Sequence, residues 1–166
     1  MGEYSVPAKF SIGDDENCTN IIFGLAQRSP QHIVFRHKQG DRWEPVTAAE
    51  AASRISAITK GLIASGVNPG DRVALLSRTR LEWNLFDFAI WSAGAITVPI
   101  YDSSSAGQIE WIMQDSGAVA IVLEDDGHRA EFESIDSLTT PVTVFQIDRT
   151  DGPGAVGELV AAGADV

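Results

Sequence analysis

The chain has 166 residues, about one domain at the usual ~100–200 residues per domain, and its 44% hydrophobic and 21% charged residues are an ordinary globular composition. A two-domain enzyme does not fit in that length. With 12 basic and 23 acidic residues the net charge is −11, and residues 124–166 alone hold 10 acidic and 2 basic side chains; such a surface repels nucleic-acid backbones and anionic lipid.

The start, Met1 to Val6, lacks the basic flank and apolar run of a signal peptide, and Val6 stands where a myristoylation signal needs a hydroxyl. A short helix is expected near Asn17 to Gln27. A hairpin follows, with His32–His37 and Arg42–Pro45 joined by a Gly40-Asp41 turn. From Thr47 onward, short apolar runs alternate with stretches of helical periodicity, the pattern of βαβ units around a parallel sheet. The strands are read as Arg72–Ser77, Ala95–Ile100, Val119–Glu124 and Val142–Ile147. The cores of the first three are continuously apolar, as strands covered on both faces require.

Three intervening helices open with a hydroxyl followed three residues later by Glu or Gln: Thr47 with Glu50, Thr79 with Glu82, and Ser105 with Gln108. Each is read as a capping box. Three helices end at Gly66, Gly94 and Gly117, where glycine supplies a left-handed cap. Ala51, Ile55, Ile58 and Leu62 form one apolar stripe on the first of these helices. The second is apolar nearly all round. Leu81, Leu85 and Phe88 are expected on the sheet, leaving Trp83, Phe86 and Ile90 to face a layer this chain does not supply and to drive self-association. The stretch Leu85 to Tyr101 holds Asp87 and Pro99 and is too short to span a membrane. The chain thus divides into a helix and hairpin (1–46), a βαβ series (47–149) and a Gly/Pro-rich linker with a weak helix (150–166).

Cys18 has no partner for a disulfide, and His32, His37 and His128 show no zinc-ligand spacing. A reducing cytoplasm fits. The histidines read as surface or half-buried side chains. Gly152, Gly154 and Gly157 spell G-x-G-x-x-G, but Asp148 to Asp151 separate them from the strand and the chain ends before the acidic residue a dinucleotide site needs; the segment reads as a flexible linker. Neither G-x-x-x-x-G-K-[ST] nor G-x-S-x-G occurs. Ligands of open α/β sheets bind outside the carboxyl ends of strands, here Ser77–Arg80 and Tyr101–Ser105. Arg78, Arg80 and the serine run could contact an anion or nucleotide. Capping and turn chemistry already account for Thr79, Asp102 and Ser105 and are the preferred explanation. No catalytic, cofactor-binding or metal-binding residue is assigned.

The runs Gly70-Asp71-Arg72-Val73-Ala74-Leu75-Leu76-Ser77-Arg78-Thr79-Arg80-Leu81-Glu82-Trp83, Ala93 to Tyr101, Ser103 to Ala106 and Trp111 to Gly117 resemble the N-terminal region of long-chain fatty-acyl-CoA synthetases of the adenylate-forming, AMP-binding superfamily. The resemblance runs from about Val6 to the last residue, and Thr79 to Trp83, followed by the Val98–Tyr101 strand, the serine run and Trp111 to Gly117, is particular to the long-chain branch. It implies an α/β fold: a mostly parallel sheet flanked by helices, an incomplete N-terminal subdomain of the adenylate-forming fold. It also implies a ligase that makes an acyl-adenylate from fatty acid and ATP with magnesium, then an acyl-CoA with coenzyme A. In the family the reacting residues lie in a Thr/Ser/Gly-rich phosphate loop with a lysine, in adenine- and ribose-binding motifs and in a C-terminal lid. Lys9, Lys38 and Lys60 stand in no such loop, so the resemblance implies a portion that is inactive alone. Fatty acid, ATP and coenzyme A are then partners of a full-length enzyme, with no nucleic acid and no transmembrane segment. The expected location is cytoplasmic, at most peripheral to a membrane. The residues alone also allow a standalone flavodoxin-like binding module using Tyr101–Ser105, or an interaction protein presenting its apolar helix face.

Overall fold

A computed structural model describes residues 4–11, 13 and 16–166; the chain start, read above for targeting signals, lies partly outside them. The element order is α1 (Asn20–Arg28), β1 (Ile33–Gln39), β2 (Arg42–Thr47), α2 (Ala48–Ala64), β3 (Arg72–Leu76), α3 (Leu81–Ser92), β4 (Ile96–Ile100), α4 (Ala106–Ser116), β5 (Ala120–Leu123), α5 (Asp126–Glu133), β6 (Thr143–Gln146) and α6 (Val156–Ala162). The β1–β2 hairpin is antiparallel, and the other four strands form one parallel sheet in the order β4-β3-β5-β6.

Because successive side chains of a strand point to opposite faces, the continuous apolar runs feed two cores. Val73 and Leu75 of β3 and Ala120 and Val122 of β5 join α2 and α3 on one face; Ala74, Leu76, Ile121 and Leu123 meet Ile109, Met113 and Phe132 of α4 and α5 on the other. Helices on opposite faces of the sheet produce this arrangement. The chain leaves β3 over one face by α3 to reach β4, and leaves β5 over the opposite face by α5 to reach β6. The strand order therefore reverses between β3 and β5. β4 is an edge strand, with Pro99 in register with Leu75.

The reading of α3 needs correction. Phe86, 1% exposed, and Ile90 are buried in the core shared with α2, so α2 supplies the second cover expected to be missing. Trp83 and Phe88 are half-buried, and Phe88 meets the 37% exposed Trp91 edge to face at 5.4 Å. The self-association expected from this helix loses two of its three carriers.

The box at α2 is present, with Thr47 N–H donating to Glu50 Oε2 at 2.8 Å and Glu50 N–H to Thr47 Oγ1 at 3.3 Å. At α4, Ser105 N–H donates to Gln108 Oε1 at 2.9 Å. The box expected at Thr79 is absent. The N-cap of α3 is Arg80, which makes no side-chain capping bond, and Glu82 instead accepts from Arg80 Nε at 2.6 Å. An ion pair has taken the carboxylate that a capping box would use. Gly66, Gly94 and Gly117 all have positive φ, as their terminating positions require.

The Gly/Pro-rich segment packs back rather than hanging free. Gln146 N–H donates to Gly154 O at 2.8 Å, Ala155 forms a parallel bridge with Gln146, and α6 lies on α2 with Leu159 against Gly61. Among the described residues no helix is long and apolar enough to cross a membrane.

Candidate functional site

In open α/β sheets ligands bind outside the carboxyl ends of the strands where the order reverses. Here that point lies between the segment after β3, Ser77 to Arg80, and the residue after β5, Glu124. Glu124 is 0% exposed. Its Oε1 accepts from Arg78 Nε at 2.9 Å and Arg80 Nη1 at 3.3 Å, and its Oε2 from Arg78 N–H at 2.8 Å and Ser77 Oγ at 3.3 Å. Arg80 Nη1 continues to Asp148 Oδ1, beyond β6, at 2.9 Å. One buried carboxylate and two guanidinium groups thereby tie together the ends of β3, β5 and β6.

Burial pushes the Glu124 carboxyl up, but the side-chain and backbone hydrogen bonds of Arg78 and the charges of Arg78 and Arg80 outweigh it and hold its pKa at about 2. The group is ionised and fully engaged. Magnesium, which the fold family implies, does not fit it, since both oxygens are taken by donors, and among the described residues no three His, Cys, Asp or Glu side chains are placed to share an ion. No step is assigned to a metal on this chain's residues.

The serine run sits elsewhere. Asp125 caps α5 by accepting from His128 N–H at 3.0 Å, which with its bonds to the His128 ring holds its carboxyl below the usual range. His128 Nδ1 lies 2.8 Å from the same Asp125 oxygen, and its Nε2 lies 3.2 Å from the Asp102 carbonyl. Glu131 Oε1 accepts from Ala106 N–H at 2.6 Å. Ser103, Ser104 and Ser105 line a shallow depression with Asp125, His128 and Glu131, apart from Arg78 and Arg80. The structure thus separates the serine run from Arg78 and Arg80, so no single anion contact unites them.

What Arg78 and Arg80 do face is the hairpin. An open cleft of about 730 Å3 lies between Phe35–Gln39 of β1 and Arg78–Glu82 at the start of α3. Glu124, Asp148 and the basic β1 residues Arg36 and Lys38 are the members that sequence reasoning missed. A trace was present in the Arg-Thr-Arg after one strand and the acidic residue ending another, but joining them needs the strand order.

An all-parallel sheet with helices on both faces and a reversal at β3 and β5 defines an open α/β class whose ligands bind at the reversal. The fold matches a long-chain-fatty-acid-CoA ligase from Archaeoglobus fulgidus with TM-score 0.80 at 17% identity, covering 95% of this chain and 33% of that one. It also matches a protein from Rhodopseudomonas palustris described as a putative long-chain-fatty-acid CoA ligase, with TM-score 0.75 at 24% identity over 88% of this chain and 36% of that one. The AMP-binding enzyme family model matches residues 24–165, and the chain belongs to that family. It is 42% identical over its whole length to the long-chain-fatty-acid–CoA ligase FadD15 of Mycobacterium bovis and 41% identical to that of Mycobacterium tuberculosis. The chain spans 28% of the length of either relative.

Proposed function

We propose that this chain is the N-terminal portion of a long-chain fatty-acid–CoA ligase, the reading carried by the 42% identity to such a ligase across all of its residues. Of the sequence segments, 47–149 is the βαβ scaffold, 1–46 its hairpin entry and 150–166 the strap that returns to α2. In the full-length enzyme ATP with magnesium would activate the fatty-acid carboxylate as an acyl-adenylate with loss of pyrophosphate, and the coenzyme A thiol would then displace AMP to take the acyl group. This chain's contribution is positional: the Glu124 network fixes the β3–α3 loop at the crevice. The chain alone is inactive, because transition-state charge on the phosphates needs positioned donors and a metal, and Lys9, Lys38 and Lys60 stand in no Thr/Ser/Gly-rich loop. Its place is cytoplasmic, at most peripheral to a membrane.

The test is ATP–pyrophosphate exchange with long-chain fatty acids. The purified chain is expected to give none above a no-protein control. Exchange that tracks with the protein through purification overturns the claim of inactivity. Grafting residues 1–166 in place of the matching region of a FadD15-type ligase is expected to retain fatty-acyl-CoA formation, and a properly folded graft without it overturns the ligase reading.

A further inference from the structure

We propose that His128 is a proton-operated clasp that holds the Tyr101–Ser105 loop against the start of α5. The ring bridges two segments far apart in sequence. Its Nδ1 lies 2.8 Å from Asp125 Oδ1, and its Nε2 lies 3.2 Å from the carbonyl oxygen of Asp102. The His128 side chain is only 17% exposed, so water is poorly placed to replace either contact.

Both partners can only accept. A backbone carbonyl has no proton to give, and the Asp125 carboxyl is held ionised, below its usual range, chiefly by the backbone N–H of His128. A neutral imidazole carries one N–H and one lone pair, so it satisfies one of these oxygens and turns a lone pair toward the other. The imidazolium donates to both. The charged groups bordering the depression beside the ring are Asp102, Asp125 and Glu131, and no Lys or Arg lines it. The other charged side chains of this part of α5 are engaged elsewhere: Asp126 accepts from Gln146, and Arg129 donates to Gln146 and Glu133.

The loop has little else to hold it. Tyr101 is 85% exposed, and Asp102, Ser103 and Ser105 are exposed as well. Ser104 N–H closes a turn within the loop on Tyr101 O at 3.0 Å. The bond from Ala106 N–H to Glu131 Oε1 at 2.6 Å is the other tie to α5. The loop leaves the carboxyl end of β4 beside β3, on the side of an open α/β sheet where ligands bind. Gain of the ring proton therefore fixes one border of that side and its loss frees it, while the two hydrophobic cores, built from other residues, stay as they are.

The test is NMR of the isotope-labelled chain from about pH 5.5 to 8, within the range where histidines change charge. Ring nitrogen shifts report the protonation and tautomer of His128. Exchange protection of the Ser104 and Ala106 amides, corrected for the intrinsic pH dependence of exchange, reports the loop. That protection is expected to fall roughly tenfold as the ring loses its proton, about what one hydrogen bond to a charged group supplies, while amides of β3 and β5 stay protected. Asp125→Asn still caps α5 and can donate to a neutral ring, so its loop is expected to stay protected across the range. His128→Gln is expected to leave loop protection independent of pH. Protection that ignores the charge of the ring, a neutral ring that keeps both contacts in the parent chain, or a parent-like pH response in either variant overturns the proposal. The parent titration decides even if a variant folds poorly. No ligase activity enters these readouts, so the ligase reading fails or stands separately.

Discussion

Glu124 at the end of β5 and Arg78 after β3 are joined by both the backbone and the side chain of the arginine, with Arg78 N–H at 2.8 Å and Arg78 Nε at 2.9 Å from the one carboxylate. The carboxylate is wholly buried while the Arg78 side chain is 67% exposed. The pair is therefore asymmetric: removing the Arg78 side chain leaves a buried charge with fewer donors, whereas removing the charge leaves Arg78 solvated. Glu124→Gln should cost roughly 2 kcal/mol, below the ~3–5 kcal/mol of breaking a fully buried pair. Urea unfolding at neutral pH measures it.

The same group sets a pH dependence. Its pKa falls from the ordinary 4.5 unfolded to about 2 folded, so between those values the unfolded chain binds more protons and stability rises with pH. The contribution is complete above about pH 4.5 and is lost as pH falls toward 2. Acid titration of stability should show a steeper fall in that window for the parent chain than for Glu124→Gln. Equal slopes would show that the carboxylate is not held by the arginines.

Two threonines that look alike in sequence should behave differently. Thr47→Ala breaks a formed capping box and should cost about 1 kcal/mol. Thr79→Ala, exposed and making no capping bond, should stay within about 0.5 kcal/mol. Paired denaturant melts at one pH decide this, and equal losses would restore the capping role to Thr79.

Gly61 is a helix-interior glycine, where alanine ordinarily gains about 1 kcal/mol from propensity. Here a Cβ would lie 2.2 Å from the Leu159 carbonyl oxygen, a backbone atom that moves only if α6 moves. Gly61→Ala should therefore destabilise, by about 1–3 kcal/mol from overpacking, with hydrogen-exchange protection lost first in α6. A stabilised variant with α6 still protected would show that α6 does not rest there.

Phe86→Ala should cost about 3–5 kcal/mol, the usual range for emptying a buried aromatic site. Trp91→Ser, at the exposed end of the same helix, should cost under about 1 kcal/mol. Thermal melts of the two variants separate a covered α3 from one left open on that side.

The strands were legible because buried parallel strands carry apolar residues on both faces, as Val73-Ala74-Leu75-Leu76 and Ala120-Ile121-Val122-Leu123 do. The boxes at Thr47 and Ser105 were legible because their partners are three residues away. Thr79 failed for the complementary reason: Glu82 has a stronger partner in Arg80, itself drawn toward Glu124 and Asp148 by the sheet order. Phe86 and Ile90 were misread because an all-round apolar helix says that cover exists but not who provides it, and α2 lies upstream on the same face. The cleft was invisible in sequence, since Arg36 and Arg78 are brought together only when the hairpin docks beside α3.

An edge strand of a parallel sheet is an open invitation to copies of itself, because its outer amides and carbonyls can recruit another chain. β4 places an imino acid fourth among its five residues, and Pro99 has no N–H to give an incoming strand. At the opposite edge the return of Gly154 and Ala155 already engages Gln146. Both flanks of the sheet are thus discouraged from propagating, one by a missing donor and one by an occupied one, and this subdomain can present its crevice without also presenting a template for fibrils.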